Sequence, residues 1–242
     1  QRAAGAADPV VTSDGIEVPV GPDGHFYVTA LVNGAKVRFV IDTGARLSYA
    51  DLDRRTIELA SGFLAAGVTK GSRVGLIMPN GVRWVQIAVA LTRIGAVLVP
   101  LSTLLTGREL AAQLEVASVR HLIAVEEFRG HRYLDDVRAM LPDLPALQHL
   151  WPADALPAAS ADPLVAELAD TVVPADPLVV MFTSGSSGPP KGAIHSHGNA
   201  LGAVRAGLAA RGIHAATRLY LPMPVFWVGG FGSGILSALA AG

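Results

Sequence analysis

The sequence VVMFTSGSSGPPKGAIHSH, residues 179–197, has a polar, glycine-rich loop directly after an apolar run. The apolar run, 178–182, consists of large and β-branched residues, which is typical of a buried strand. Hydroxyl side chains, glycines and a lysine follow it within ten residues. In an open α/β sheet, a loop that follows a strand lies at the carboxyl edge, where ligands bind. This stretch therefore predicts a ligand-binding loop in an α/β domain.

The loop carries groups that suit a polyphosphate. Four side chains offer hydroxyl donors, and three glycines allow successive backbone N–H groups to face one concavity, which is an anion-binding nest. Lys191 adds a mobile positive charge and is one of only three lysines in the chain. The Pro-Lys-Gly ending disfavours the alternative of a flexible Gly/Ser linker. The predicted phosphate-binding residues are Thr183, Ser184, Gly185, Ser186, Ser187, Gly188, Lys191 and Gly192.

The composition limits the class of protein. With 242 residues, of which 51% are hydrophobic and 16% charged, the chain can bury a sizeable core as one large domain or part of one. Nineteen basic and twenty acidic side chains give a formal charge of −1, so no nucleic-acid partner is predicted. The absence of cysteine excludes disulfides and thiolate metal sites and is compatible with the cytoplasmic location that we predict. The uncharged stretch 219–242 contains prolines and several glycines, which favours a buried loop and helix over a membrane span.

Helical and strand patterns alternate from residue 48 onward. This alternation predicts an α/β fold with a mainly parallel sheet flanked by helices. Residues 141–177, with seven prolines, are predicted to be a long surface connection with at most short elements. The predicted helices are 48–66, 82–94, one that begins at the capping box Thr106-x-x-Glu109, 199–211 and a last apolar helix; the predicted strands are 73–78, 121–125, 178–182 and 218–223.

Residues 1–45 have a different sequence pattern from the rest of the chain. Residues 1–23 are predicted to be a flexible segment. Residues 24–45 predict a β-hairpin, because the Asn33-Gly34 pair suits a tight turn and β-branched and aromatic residues flank it.

The loop resembles that of the AMP-forming adenylating enzymes, a family that includes the acyl-CoA synthetases. The family's phosphate loop reads Thr-Ser-Gly-Ser/Thr-Thr/Ser-Gly-x-Pro-Lys-Gly, and residues 183–192 match it throughout. Residues 48–101 are similar to the family's opening helix-strand-helix unit. Residues 221–232, LPMPVFWVGGFG, are similar to its aromatic turn beside the acyl pocket, with Trp227 where many members have histidine.

The resemblance implies a ligase of fatty acid metabolism. A carboxylic acid would attack the α-phosphate of Mg²⁺-bound ATP to give an acyl-adenylate and pyrophosphate, and the thiol of CoA would then displace AMP. Catalysis would depend on positioning and on neutralising phosphate charge, for which Lys191 is the candidate catalytic residue. The other predicted loop residues would hold the β- and γ-phosphates, and Trp227 would line or gate the acyl channel.

The resemblance covers residues 46–242 and lacks the later half of the family's pattern. The adenine-binding turn, the ribose-binding aspartate and the C-terminal lysine of the family have no counterpart in this sequence. We therefore expect residues 46–242 to be a truncated AMP-binding domain and the chain as given not to form acyl-adenylate. A chain that only binds nucleotide, or a mis-joined reading frame, is the corresponding non-catalytic alternative.

The segment 24–45 also resembles the first half of retropepsin-like aspartic proteases, in which two apolar residues precede Asp-Thr-Gly-Ala. In this alternative Asp42 is the catalytic aspartate, and a homodimer supplies the second carboxylate. Since the sequence from residue 46 follows the synthetase family, the chain would be a chimera of two segments. The competing interpretation is a hairpin of the synthetase itself, with Thr43-Gly44 as its turn.

Two weaker patterns favour structural roles. His195 and His197 alternate in a strand-like segment without a third ligand, so we predict packed or capping histidines and no metal site. The glycines of Gly230-x-Gly232-x-Gly234 indicate close helix packing more than a dinucleotide fingerprint.

Overall fold

The computed structural model describes residues 10–12, 15–17, 26–32, 35–41, 48–183 and 190–242. The chain divides into two units, residues 1–49 and residues 50–242, which are described separately.

The described residues of the first unit form four strands in two antiparallel pairs. Strand β1 (Val10–Thr12) pairs with β2 (Gly15–Glu17), within the segment predicted to be flexible. Strand β3 (Phe26–Val32) pairs with β4 (Ala35–Ile41), so that Val32 lies opposite Ala35. The predicted turn residues Asn33 and Gly34 lie outside the described residues.

The second unit is a six-stranded sheet with helices on both faces. Its elements are α1 (Tyr49–Ala65), β5 (Arg73–Ile77), α2 (Val82–Arg93), β6 (Val97–Pro100), α3 (Gly107–Val116), β7 (His121–Ala124), α4 (Tyr133–Met140), β8 (His149–Pro152), α5 (Leu164–Asp170), β9 (Pro177–Thr183), β10 (Lys191–Ser196), α6 (His197–Leu208), a π-helix (Gly229–Leu236) and α7 (Ser237–Ala241). The strand order is β10-β9-β6-β5-β7-β8. All neighbours are parallel except β9 and β10, which are antiparallel. The predicted α/β class with a mainly parallel sheet is confirmed.

The sheet separates two apolar cores. On one face, Phe63 of α1 and Trp84 of α2 pack with side chains of α5, α6 and the π-helix. On the other face, Leu110 of α3 and Val137 of α4 pack over β5–β7. Both faces of the parallel strands are thereby covered, as the burial of every residue in β6 and β7 requires.

Helix α3 begins where the sequence predicts it. The backbone N–H of Thr106 donates to Glu109 Oε2 over 2.8 Å, and the N–H of Glu109 donates to Thr106 Oγ1 over 3.4 Å. This is the reciprocal pattern of a capping box, which satisfies two N–H groups that the first helical turn leaves unpaired. The hydrogen bonds from Thr106 also hold the pKa of Glu109 below its ordinary value.

In the second unit, one predicted strand is wrong and three strands were not predicted. Residues 218–223 form no strand: Pro222 lacks the N–H that a ladder needs, and Leu221 instead packs on the core. Strand β8 lies within the predicted surface connection 141–177 and extends the sheet beside β7. The two others, β6 and β10, are a short buried strand and the antiparallel edge strand.

Candidate functional site

The loop of residues 184–189 begins and ends at the carboxyl end of β9. Thr183 is the last residue of β9 and pairs with Lys191, the first residue of β10. The Thr183 hydroxyl donates to the Lys191 carbonyl oxygen over 3.5 Å. Since β9 runs parallel to β6, both loop ends lie at the carboxyl edge of the sheet, as the sequence predicts. Five predicted binding residues lie outside the described residues: Ser184, Gly185, Ser186, Ser187 and Gly188.

The strand register places Lys191 on a definite face of the sheet. Directly opposite residues of an antiparallel pair share a face, and alternate residues along a strand do so too. Lys191 and Thr183 therefore lie on the same face as Met181 and His195. Lys191 is exposed, and among the described residues no carboxylate lies within 4.0 Å of its ammonium group. A positive charge is thus available at the loop.

Gly192 lies on the opposite face, close to β9. A Cβ at this position would be 2.7 Å from Val180 Cγ1. A larger residue would push β10 away from β9 and shift Lys191, so the glycine after the lysine keeps the hairpin closed.

An apolar cavity of about 350 Å³ lies on the same face as Lys191. It lies between the β9–β10 hairpin, α6 and the π-helix. Met181 in its wall is two residues from Thr183, which is about 7 Å along the strand. The lining residues are Val179, Met181, His195, Asn199, Ala200, Ala203, Val204, Gly207, Arg211, Val228, Phe231, Gly232, Ser233 and Leu236. We call this the apolar cavity.

The π-helical wall of the apolar cavity depends on close packing. A Cβ on Gly230 would lie 2.0 Å from the carbonyl oxygen of Pro224, and one on Gly234 would lie 2.5 Å from Leu221. The packing interpretation of the Gly230-x-Gly232-x-Gly234 pattern is therefore confirmed for Gly230 and Gly234, whereas a Cβ on Gly232 would only touch Val228 Cγ2, at 3.9 Å. Wide π-helical turns are rare in proteins, and those that occur are often found at functional sites.

Three polar residues of the cavity were missed by the sequence analysis as site residues. His195 Nδ1 and Asn199 Oδ1 are 3.1 Å apart and share a hydrogen bond in the cavity wall. Arg211, just after α6, donates to the carbonyl oxygens of Gly207 and Ser233, each over 3.1 Å. The arginine thereby ties the end of α6 to the π-helix and closes the cavity between them.

Trp227 lies beside the apolar cavity and is not among its lining residues. Its side chain is 49% exposed and packs edge-on against Phe226, with ring centroids 5.7 Å apart. The preceding turn is fixed by Asn80, whose amide donates to Met223 O and accepts from Val225 N, each over 2.9 Å. Asn80 thus couples the end of β5 to the aromatic turn, a link that the sequence gives no sign of.

His197 is the first residue of α6. Its backbone N–H donates to Asp176 O over 3.0 Å, which joins α6 to the segment before β9. Burial lowers the pKa of its imidazole below the ordinary value, although the Asp176 carboxylate opposes the shift. Across the described ranges, no group of three His, Cys, Asp or Glu side chains could hold a metal ion. None of the described helices is long and apolar enough to cross a membrane.

The model of one protein family, described as AMP-binding enzyme, matches residues 27–242. The chain belongs to this family. The match begins at residue 27 and so includes most of the segment that resembles aspartic proteases, which leaves the protease alternative without support. Asp42 lies outside the described residues.

Curated relatives of the chain include two fatty-acid ligases. It is 30% identical over 202 residues to the long-chain-fatty-acid–CoA ligase FadD13 of Mycobacterium tuberculosis, covering 81% of this chain and 39% of that protein. It is 30% identical over 227 residues to the medium-chain fatty-acid–CoA ligase of Escherichia coli, covering 90% and 40%. The chain thus spans about two fifths of the length of these relatives.

Solved structures share the fold. The inhibitor-bound N-terminal domain of FACL13 from Mycobacterium tuberculosis superposes with a TM-score of 0.65 and 27% identity, over 82% of this chain and 50% of that chain. ATP-bound MatB from Rhodopseudomonas palustris superposes with a TM-score of 0.67 and 21% identity, over 83% of this chain and 40% of that chain, which shows a common fold.

Proposed function

We propose that this chain provides the phosphate-binding loop and the acyl-binding cavity of an ATP-dependent acid–thiol ligase. The observation that carries the proposal is the β9–β10 hairpin, which has the phosphate-type loop at its tip and the apolar cavity on the same face. A fatty acid in the cavity would have its carboxylate directed toward the loop, where the Lys191 side chain is exposed, and its alkyl chain against the apolar side chains of the cavity.

The proposed reaction has two steps. A carboxylate oxygen attacks the α-phosphorus of ATP, and the bond to the leaving pyrophosphate breaks. The thiol sulfur of CoA then attacks the acyl carbon, AMP leaves, and the thiol proton is released to solvent. The names of the fatty-acid–CoA ligases among the relatives support this reaction class.

The residues of this chain would act by charge and position. The Lys191 ammonium would offset the negative charge of the terminal phosphates. The Thr183 hydroxyl at the other end of the loop would turn from the Lys191 carbonyl oxygen and donate to them. Trp227, half-exposed beside Val228, would act as a gate to the cavity. Mg²⁺ would enter as part of the ATP complex, and we assign none of the described residues to it.

The fit of a fatty acid to the apolar cavity can be tested by filling the cavity. Ala203→Phe on α6 places a ring in the cavity, whereas Gly202→Ala, next to it, adds a methyl group in open space. Equilibrium binding of octanoate and palmitate to the 242-residue chain should weaken at least about tenfold in Ala203→Phe and stay unchanged in Gly202→Ala. Equal affinities in the two variants would rule out the cavity as the acyl site.

A further inference from the structure

A second cavity, of about 540 Å³, lies among α1, α2 and the segment that follows β8. It differs from the apolar cavity in the side chains that line it. Its charged and amide residues are Arg54, Arg55, Glu58, Arg83, Gln86 and Asp154. We call it the arginine cavity.

One wall of the arginine cavity is held against α1 by close backbone contacts. Residues 153–162 cross α1 so closely that a Cβ on Gly62 would lie 2.1 Å from the carbonyl oxygen of Pro157. The Ser61 hydroxyl accepts a hydrogen bond from the N–H of Asp162 over 2.9 Å. Glycine at residue 62 therefore allows the segment to lie directly on the helix, and the cavity is preformed.

Among the described residues, two of the three arginines form no ion pair. Arg54 is paired with Glu58 over 2.9 Å. Within the described ranges, neither Arg55 nor Arg83 has a carboxylate within 4.0 Å. Arg83 donates from Nε to the carbonyl oxygen of Ala153 over 3.3 Å, which holds its side chain in place beside the cavity.

The two unpaired arginines lie close enough to repel each other. Burial lowers the pKa of Arg83, and the positive charge of Arg55 lowers it further, although the Asp154 carboxylate in the same cavity opposes the shift. Arg83 also lies in the first turn of α2, which contains no acidic residue, so the positive end of the helix dipole adds to the field. An anion between the two guanidinium groups would relieve this repulsion, and guanidinium groups bind carboxylates and phosphates in a forked geometry.

Gln86 provides an independent indication of a ligand. Its side chain is only 4% exposed, and its Nε2 has no hydrogen-bond partner among the described residues. A buried amide donor without an acceptor is unfavourable, and few occur in folded proteins. Gln86 is one turn of helix after Arg83 and lines the same cavity, so an acceptor bound there could satisfy it.

We propose that the arginine cavity binds the carboxylate or phosphate group of a small organic anion. Arg83 and Arg55 would hold the oxyanion, and Gln86 would donate to an acceptor atom of the same molecule. This site is separate from the phosphate loop, because four strand spacings, about 19 Å, separate β8 from β9. The inference goes beyond the ligase function and does not depend on it.

The test is calorimetric titration of the 242-residue chain at constant ionic strength. The Lys191→Ala background removes the charge of the phosphate loop, and inorganic phosphate and malonate serve as separate probes of the two oxyanion types. We expect one saturable site for at least one probe. Arg83→Gln should weaken that affinity at least about tenfold, and Arg55→Gln should weaken it about threefold or more.

Two further variants control for charge and folding. Arg108→Gln removes an exposed arginine of α3, on the opposite face of the sheet, and should leave the affinity unchanged. Gln86→Leu should weaken binding and leave the unfolding transition intact, which separates ligand contact from folding. The absence of saturable binding of both probes up to about 20 mM, or equal affinities in Arg83→Gln and Arg108→Gln, would overturn the proposal.

Discussion

The middle of the sheet and its β10 edge differ in how completely they are covered. In the middle, β5 and β7 are parallel strands with helices on both faces, and nearly all their residues are buried. At the edge, β10 is antiparallel to β9, and Ile194 on it is 61% exposed. The loop and the apolar cavity lie at this edge. The covered middle provides stability, and the open edge holds the groups that would contact ligands.

The two tryptophans Trp84 and Trp227 give the sharpest contrast between a covered and an open position. Trp84 is fully buried and packs edge-on against Phe231, with ring centroids 5.8 Å apart, whereas Trp227 is 49% exposed. Trp84→Ala should lower the free energy of unfolding by about 3–5 kcal/mol. Trp227→Ala should change it by less than about 0.5 kcal/mol, since surface substitutions rarely do more. Urea unfolding of both variants measures this, and similar losses would contradict the division of roles.

A pH dependence of stability is expected from β7, in the covered middle of the sheet. His121 is buried beside the rings of His149 and Trp151, whose centroids lie 5.1 and 5.3 Å from its own. Burial, together with the charges of His149 and Arg120, lowers the pKa of His121 to about 4. Because the unfolded chain binds this proton near pH 6.5 and the folded chain only near pH 4, stability is full above pH 6.5 and decreases as the pH falls toward 4.

The free energy of unfolding should decrease by about 3 kcal/mol as the pH falls from about 6.5 to about 4. His121→Leu should remove most of this dependence, and His131→Leu, an exposed histidine, should retain it. Unfolding free energies at pH 7.5, 5.5 and 4.5 measure the effect. A slope that is equal in wild type and His121→Leu would refute the assignment.

The smallest effect is expected at the capping box of α3. Thr106→Ala removes the oxygen that accepts from the Glu109 N–H and should lower the free energy of unfolding by about 1 kcal/mol. Thr106→Ser, which keeps the hydroxyl, should cost less. Thermal unfolding of the two variants makes the comparison, and a Thr106→Ser loss as large as that of Thr106→Ala would show that the cap contributes nothing.

The sequence predicted the helices better than the short strands. Helices α1, α2 and α6 have enough turns to show their apolar period, and the capping box marks α3. Strands β6 and β8 have only four residues each, so no alternation distinguishes them from loop. Residues 218–223 have a strand-like composition, but whether a segment joins a sheet depends on its neighbours in space.

The site was predicted only as far as one continuous segment reaches. The hydroxyl, glycine and lysine pattern of residues 183–192 identifies the loop because all of it lies in ten residues. His195, Asn199 and Arg211 come from β10, from α6 and from the turn that follows α6, and only packing brings them to one cavity. Likewise, Arg55 and Arg83 lie on different helices, so their proximity has no signal in the sequence.

The central claim is that the loop ending at Lys191 binds the terminal phosphates of ATP. The most direct measurement is calorimetric titration of Mg·ATP and of AMP into the wild-type chain and the Lys191→Ala variant. We predict that Lys191→Ala weakens the binding of ATP at least about tenfold. The affinity for AMP should change by less than about twofold, because AMP lacks the β- and γ-phosphates. An ATP affinity that is unchanged by Lys191→Ala would contradict the account.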